Sequence, residues 1–137
     1  VDTPRVRTFP DFSSAECYIV LNSGIKLISR NDHIYKYDNI GNLLWSNSQD
    51  VRYEAIVIDN TGNIFATGGA STRFITKKYQ PNGKVLWTQT YQNLSSNVSR
   101  DITIDKNEDV IITGQSAQTM SLYDYMTIKY SNSGNSI

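Results

Sequence analysis

The chain has 137 residues, and 13 Lys plus Arg balance 13 Asp plus Glu, so its net charge is zero. That length suffices for one domain with a real core. A neutral chain has no field to gather nucleic acid or an acidic membrane, and no apolar run nears the roughly 20 residues of a spanning helix, so nucleic-acid partners and membrane insertion are set aside.

The single cysteine, Cys17, cannot form an internal disulfide. That suits the cytosol, or a bacterial envelope protein that needs no staples. Tyr is frequent, Pro is rare, and Asn, Ser and Gly are plentiful. No segment shows a 3.6-residue apolar period, so an all-β chain without helix is expected. Val1 stands where an initiator Met would be, which reads as a processed chain or a fragment.

Residues 1–14 match nothing else in the chain. Pro4 and Pro10 bracket Arg5–Phe9, an expected edge strand or arm. A first unit, residues 15–50, holds Cys17–Leu21, the turn Asn22-Ser23-Gly24, Ile25–Ile28, His33–Tyr37, the turn Asp38–Gly41 and Leu43–Ser46. A second, residues 51–97, holds Tyr53–Ile58, the turn Asp59–Asn63, Ile64–Thr67 closed by Gly68-Gly69, Phe74–Tyr79, the turn Gln80–Gly83 and Val85–Thr88. β-branched and aromatic runs this short, bounded by Gly, Asn, Asp and Pro, read as hairpin-linked strands. A third, residues 98–137, holds Asp101–Asp105, Val110–Gly114, a loop, Tyr125–Tyr130 and the turn Ser131–Gly134. Its fourth strand is not expected, because Ile137 stands where Leu43-Leu44-Trp45 begins in the first unit.

The dipeptides Lys36-Tyr37, Lys78-Tyr79 and Lys129-Tyr130 recur 42 and then 51 residues apart, as do Gly41, Gly83 and Gly134. Trp45 and Trp87 are 42 apart; Asp59 and Asp105, and Gly68 and Gly114, are 46 apart. Four strands in each 40–50 residues predict β-propeller blades of four antiparallel strands, about three of them here. The unequal spacings are expected in the loop after the second strand. The structural repeat anchors are then Trp45, Trp87, Asp59, Asp105, Gly41, Gly83 and Gly134. The tryptophans are expected to cover the gap between neighbouring blades. The two aspartates are expected to bond the backbone of their own turns.

The run Ala55–Gly68 resembles the core of bacterial β-propeller repeats of the SBBP type, and Tyr79–Thr88 resembles that family's link into its outer strand. The Gly-x-x-x-Trp step is also similar to the tryptophan-docking repeats of quinoprotein-like propellers. The resemblance covers Glu16 to Gly134. The first unit departs from it with Asn22-Ser23-Gly24, and the third with Asn107-Glu108-Asp109. It implies a propeller fold and an extracellular, cell-surface or periplasmic setting in bacteria, and no single activity.

Candidates for chemistry are few. His33 is the sole histidine, and no Gly-x-Ser-x-Gly elbow accompanies it, so a Ser-His-Asp site is not expected. One His and one Cys make no zinc cluster. Cys17 lies in an apolar strand and reads as a buried, inert thiol. Asp105-Lys106-Asn107-Glu108-Asp109 opens like a calcium loop, but Val110 replaces the needed Gly and Ser116 the closing Glu. Asp11, Glu16, Asp50, Glu54, Asp101 and Asp124 lie near strand ends as solvated charges, and with Arg100 they make a thin set for an active site. Asn93 and Asn97 head glycosylation sequons, which matter only in a eukaryotic secretory host. No catalytic, cofactor or metal residue is assigned.

The expected function is a non-enzymatic interaction or scaffold module for a protein or glycan partner. The alternatives are part of a propeller enzyme, glycan-active or quinoprotein-like, whose site needs further blades, and a structural spacer of a larger surface protein. Three blades cannot close a ring. The chain is therefore expected to be a fragment of a longer propeller, or to pair as a homodimer of three blades plus three with Arg5–Phe9 completing a blade.

Overall fold

A computed structural model describes residues 17–30, 32–48, 51–70, 72–92, 96–119 and 122–137. The expected strand Arg5–Phe9, together with Asp11, Glu16, Asp50 and Asn93, lies outside them. The described residues form eleven antiparallel strands and no helix. β1 (Cys17–Val20), β2 (Lys26–Arg30), β3 (His33–Tyr37) and β4 (Leu43–Ser48) form the first sheet. β5 (Arg52–Ile58), β6 (Ile64–Ala70), β7 (Arg73–Tyr79) and β8 (Val85–Tyr91) form the second. β9 (Ser96–Ile104), β10 (Val110–Thr119) and β11 (Leu122–Tyr130) form the third. Each strand pairs with the next, so each sheet is a simple meander.

Local chemistry explains the meanders. The four-residue turns are closed by backbone bonds of one pattern, such as Gly62 N to Asp59 O at 3.0 Å and Gly83 N to Gln80 O at 2.9 Å. Glycine at the last turn position supplies the positive φ that this turn needs. The third sheet departs from the expected outline. The extra residues of the third unit between Gly114 and Tyr130 do not form a loop; they lengthen β10 to 10 residues and β11 to 9, where β6 and β7 have 7 each. The remaining extra residues lie between Trp87 and Asp105, before the second strand. Pairing continues to Thr119 opposite Leu122, so the hairpin connection stays short. A ladder that continues past Gly114, with a register shift between Ala117 and Thr119, satisfies backbone groups that a loop would leave to water. β9 also takes in Ser96 and Asn97.

The sheets pack through their first strands: β5 lies against β1 and β2, and β9 against β5, β6 and β7. β6 shows the consequence. Ile64 and Phe65 are adjacent, point to opposite faces, and are both fully buried. Ile64 joins Leu27, Ile34, Val51, Tyr53, Ala66 and Tyr79 in a core between the first two sheets. Phe65 joins Ala55, Ile102, Val110, Ile112 and Tyr130 in a core between the second and third. A strand covered on both faces needs no polar alternation, which is why Ile64-Phe65-Ala66 runs apolar. Gly114 sits at a bulge where a side chain would strike Phe74 and the backbone of Val98 and Ser99.

Candidate functional site

The repeated aspartates serve their own turns. Asp59 Oδ1 accepts from Thr61 N at 2.9 Å and Asn63 N at 2.8 Å, and its Oδ2 accepts from Asn63 Nδ2 at 2.8 Å. Burial works to raise the carboxyl pKa, but these bonds outweigh it and hold the group below its usual value. Asp105 Oδ1 accepts from Asn107 N at 2.8 Å and Asp109 N at 3.1 Å. Lys129 bridges Asp105 at 2.9 Å and Asp109 at 3.0 Å, and its hydrogen bond is the chief cause of the lowered Asp105 pKa. The sequence reading missed Asp38, which does the same in the turn after β3: its Oδ1 accepts from Ile40 N at 3.0 Å and Asn42 N at 2.8 Å. The signal was present, since Asp38 and Asn42 have the spacing of Asp59 and Asn63.

Trp45 and Trp87 build a clamp between successive sheets. Lys36 and Trp45 are cross-strand partners, and both reach the turn between β7 and β8. Lys36 Nζ donates to Pro81 O at 2.7 Å, Trp45 Nε1 donates to the same oxygen at 2.9 Å, and the Asn47 amide donates to Gly83 O. One unit on, Lys78 and Trp87 are again partners. Lys78 Nζ donates to Asn132 O at 3.2 Å, Trp87 Nε1 donates to Asn132 O at 3.0 Å, and Gln89 Nε2 donates to Gly134 O at 2.7 Å. The indoles lie on glycine. A Cβ at Gly83 would stand 2.9 Å from the Trp45 ring, and one at Gly134 would stand 3.0 Å from the Trp87 ring. With φ of +89° and +92°, glycine is required twice over at these positions. Lys78 lies over the Phe65 ring; burial lowers its pKa, against the pull of Asp59 and Glu108.

A shallow groove lies between the turns that follow β5 and β9. It holds about 280 Å³ between the ends of β5 and β9 and is lined by Val57, Ile58, Asp59, Asn60, Thr103, Ile104, Asp105, Lys106 and Glu108. Its two carboxylates at Asp59 and Asp105 are tied as described. Asn60 and Lys106 are exposed at its margin and Glu108 is half-buried.

The remaining candidates are dispersed. His33 is half-buried in β3, stacked on Tyr35 at 5.7 Å. Cys17 is half-buried, and its Sγ donates to Tyr53 O at 3.6 Å. Glu54 pairs with Arg52 at 3.8 Å, Asp101 Oδ1 accepts from Ile102 N at 2.8 Å, and Arg100 and Asp124 are exposed. Among the described residues no three His, Cys, Asp or Glu side chains lie close enough to hold a metal ion. Asn97 is fully buried and its amide donates to Thr72 O at 2.6 Å, so the folded chain does not offer it for glycosylation.

These features define an all-β protein of three antiparallel meanders, the first two joined to their successors by a repeated Lys–Trp clamp. Neither the protein-family models nor the curated proteins include a match to this chain. Among solved structures it is similar to a protein of unknown function from Bacteroides caccae, with a TM-score of 0.61 and 12% identity. The similarity covers 90% of this chain and 44% of that one, so the chain spans less than half the length of that protein.

Proposed function

We propose that the three sheets are consecutive blades of a β-propeller and that the chain is a non-catalytic interaction or scaffold module, binding a protein or glycan at a bacterial surface or in the periplasm. The observation that carries this reading is the groove between the turns after β5 and β9. Two equivalent turns frame it, and its innermost carboxylates are committed to their own backbone and to Lys129. What it offers a partner is an amide, an ammonium, a carboxylate and the hydroxyl of Thr103, a hydrogen-bonding surface without a poised acid and base. Meander sheets packed through their first strands are how blades sit around an axis, and the inter-sheet clamp supports the same arrangement.

A glycan array and a panel of purified surface proteins test the reading with the whole chain against an Asn60→Ala, Lys106→Ala, Glu108→Ala variant. The expected result is a binder that the variant loses while its melting temperature is kept. Turnover of a glycoside or alcohol substrate that Asp105→Asn abolishes would instead make the chain part of an enzyme. A binder held equally by the variant would remove the groove from the proposal.

A further inference from the structure

The clamp has two donors and three receivers. Gly83 and Gly134 are buried under Trp45 and Trp87. Gly41 closes a turn of the same form: its φ is +91°, Gly41 N donates to Asp38 O at 3.3 Å, and Asp38 N donates to Asn42 O at 2.9 Å. By register Tyr37 holds the place of Tyr79 and Tyr130, and Trp87 packs 6.1 Å from Tyr130 beside Gly134. Yet Gly41 is only half-buried. The sequence holds two tryptophans, and both are engaged elsewhere.

The face of the first sheet beside this turn is apolar in part: Ile28, already buried, pairs with Tyr18 on it, while Lys26 holds the register position of Ile64. Tyr18 corresponds by register to Ile56, and Val20 to Ile58. Ile56 is 9% exposed beneath the first sheet, whereas Tyr18 is 61% and Val20 53% exposed. Tyr35 and Tyr37 stack along the same face at 6.3 Å. An exposed apolar face of this kind marks an interface.

We propose that the turn Asp38–Asn42 and this face receive a further four-stranded unit of the same repeat, from outside the 137 residues, whose Lys and Trp donate to the Asn39 carbonyl and whose indole covers Gly41. A second copy of this chain is the weaker occupant, because its Trp45 and Trp87 already serve their own sheets. The length of the similar structure leaves room for further units. The proposal rests on the clamp and is independent of any ligand at the groove.

The probe is an acetylated, amidated peptide with the sequence of residues 84–91, titrated to millimolar concentration into the ¹⁵N-labelled full chain. Saturable shifts are expected at residues 37–42. They should be absent for a peptide with alanine in place of the tryptophan, and absent in a Gly41→Val chain; the alanine peptide serves alone if that chain does not fold. Three results would overturn the proposal. The first is shifts confined to β11, the second is equal shifts from the alanine peptide, and the third is no shifts at all. Shifts at residues 37–42 that appear on concentrating the chain without peptide would also overturn it, in favour of a second copy.

Discussion

Trp87 and Gly134 should be energetically coupled across the gap between the second and third sheets. Trp87→Ala removes the Nε1 bond to Asn132 O and the contacts with Phe65 at 5.9 Å and Tyr130 at 6.1 Å. The ring is half-buried, so the loss falls at the low end for buried aromatics, about 3 kcal/mol, of which the hydrogen bond is about 1. Gly134→Ala carries two costs. A side chain at φ +92° costs about 1–2 kcal/mol, and a Cβ pressed to 3.0 Å of the indole adds about 1–2 more as overpacking. With Trp87 already alanine, the second cost disappears and the first remains. The double variant should therefore be less destabilised than the sum of the singles by about 1–2 kcal/mol. Urea unfolding followed by far-ultraviolet circular dichroism measures all four corners without relying on tryptophan emission. Trp87→Ala alone should lower Tm by about 10 °C in a chain of this size. Additivity within about 0.5 kcal/mol would show that the indole does not rest on Gly134, and the clamp argument would fail.

Glu108 holds φ +62° where the matching turn of the second sheet has Gly62, so Glu108→Gly should stabilise the chain by about 0.5–1 kcal/mol; an unchanged or lower urea midpoint would contradict this. The Tyr53 and Tyr79 hydroxyls bond each other at 2.6 Å in the core, so Tyr79→Phe should cost about 1–3 kcal/mol by stranding the Tyr53 hydroxyl, and adding Tyr53→Phe should recover part of it. Burial raises the Tyr79 pKa to about 12 against the pull of the Tyr53 bond, and burial, aided by Tyr79, raises Tyr53 further. The unfolded phenols titrate near 10, so this contribution to stability is full below about pH 10 and is lost as pH rises through 12. Ultraviolet titration should show two tyrosines that ionise only on unfolding. Calorimetry with millimolar calcium should show no saturable heat at Asp105–Asp109, because the Lys129 ammonium occupies the space between the two carboxylates; binding that Asp105→Ala abolishes would contradict this.

Much of the strand order was legible because each unit announces itself twice, by an apolar run and by a turn ending in glycine. The third unit shows where the reading stops. Glu108 breaks the Gly-Asn pattern, yet the turn keeps its shape, because Asp105 still gathers the amides of residues 107 and 109 and the strain at one residue is small beside that. The residues after Gly114 carry no strong apolar alternation, so they read as a loop. Their pairing comes from the neighbouring strand, whose Asn97 is held by Thr72 O and Ser116 Oγ. Long-range ladders of that kind leave no local pattern.

The clamp was half legible, and the hidden half is the more informative. Gly-x-x-x-Trp places both residues on one turn and strand, as though they served each other. In space Trp87 lies on Gly134 and Trp45 on Gly83, each one unit ahead. The recurring Lys-Tyr dipeptide has the same logic. Neighbouring residues of a strand face opposite ways. Lys78 therefore reaches forward to the third sheet, while Tyr79 turns back into the core shared with the first. Lys78-Tyr79 thus ties the second unit to both of its neighbours, while Lys36 makes the forward contact alone and Tyr130 the backward one, so the recurrence of the dipeptide records contacts between units. A period in sequence can reveal that such contacts exist. The partner of each residue emerges only when the sheets are stacked.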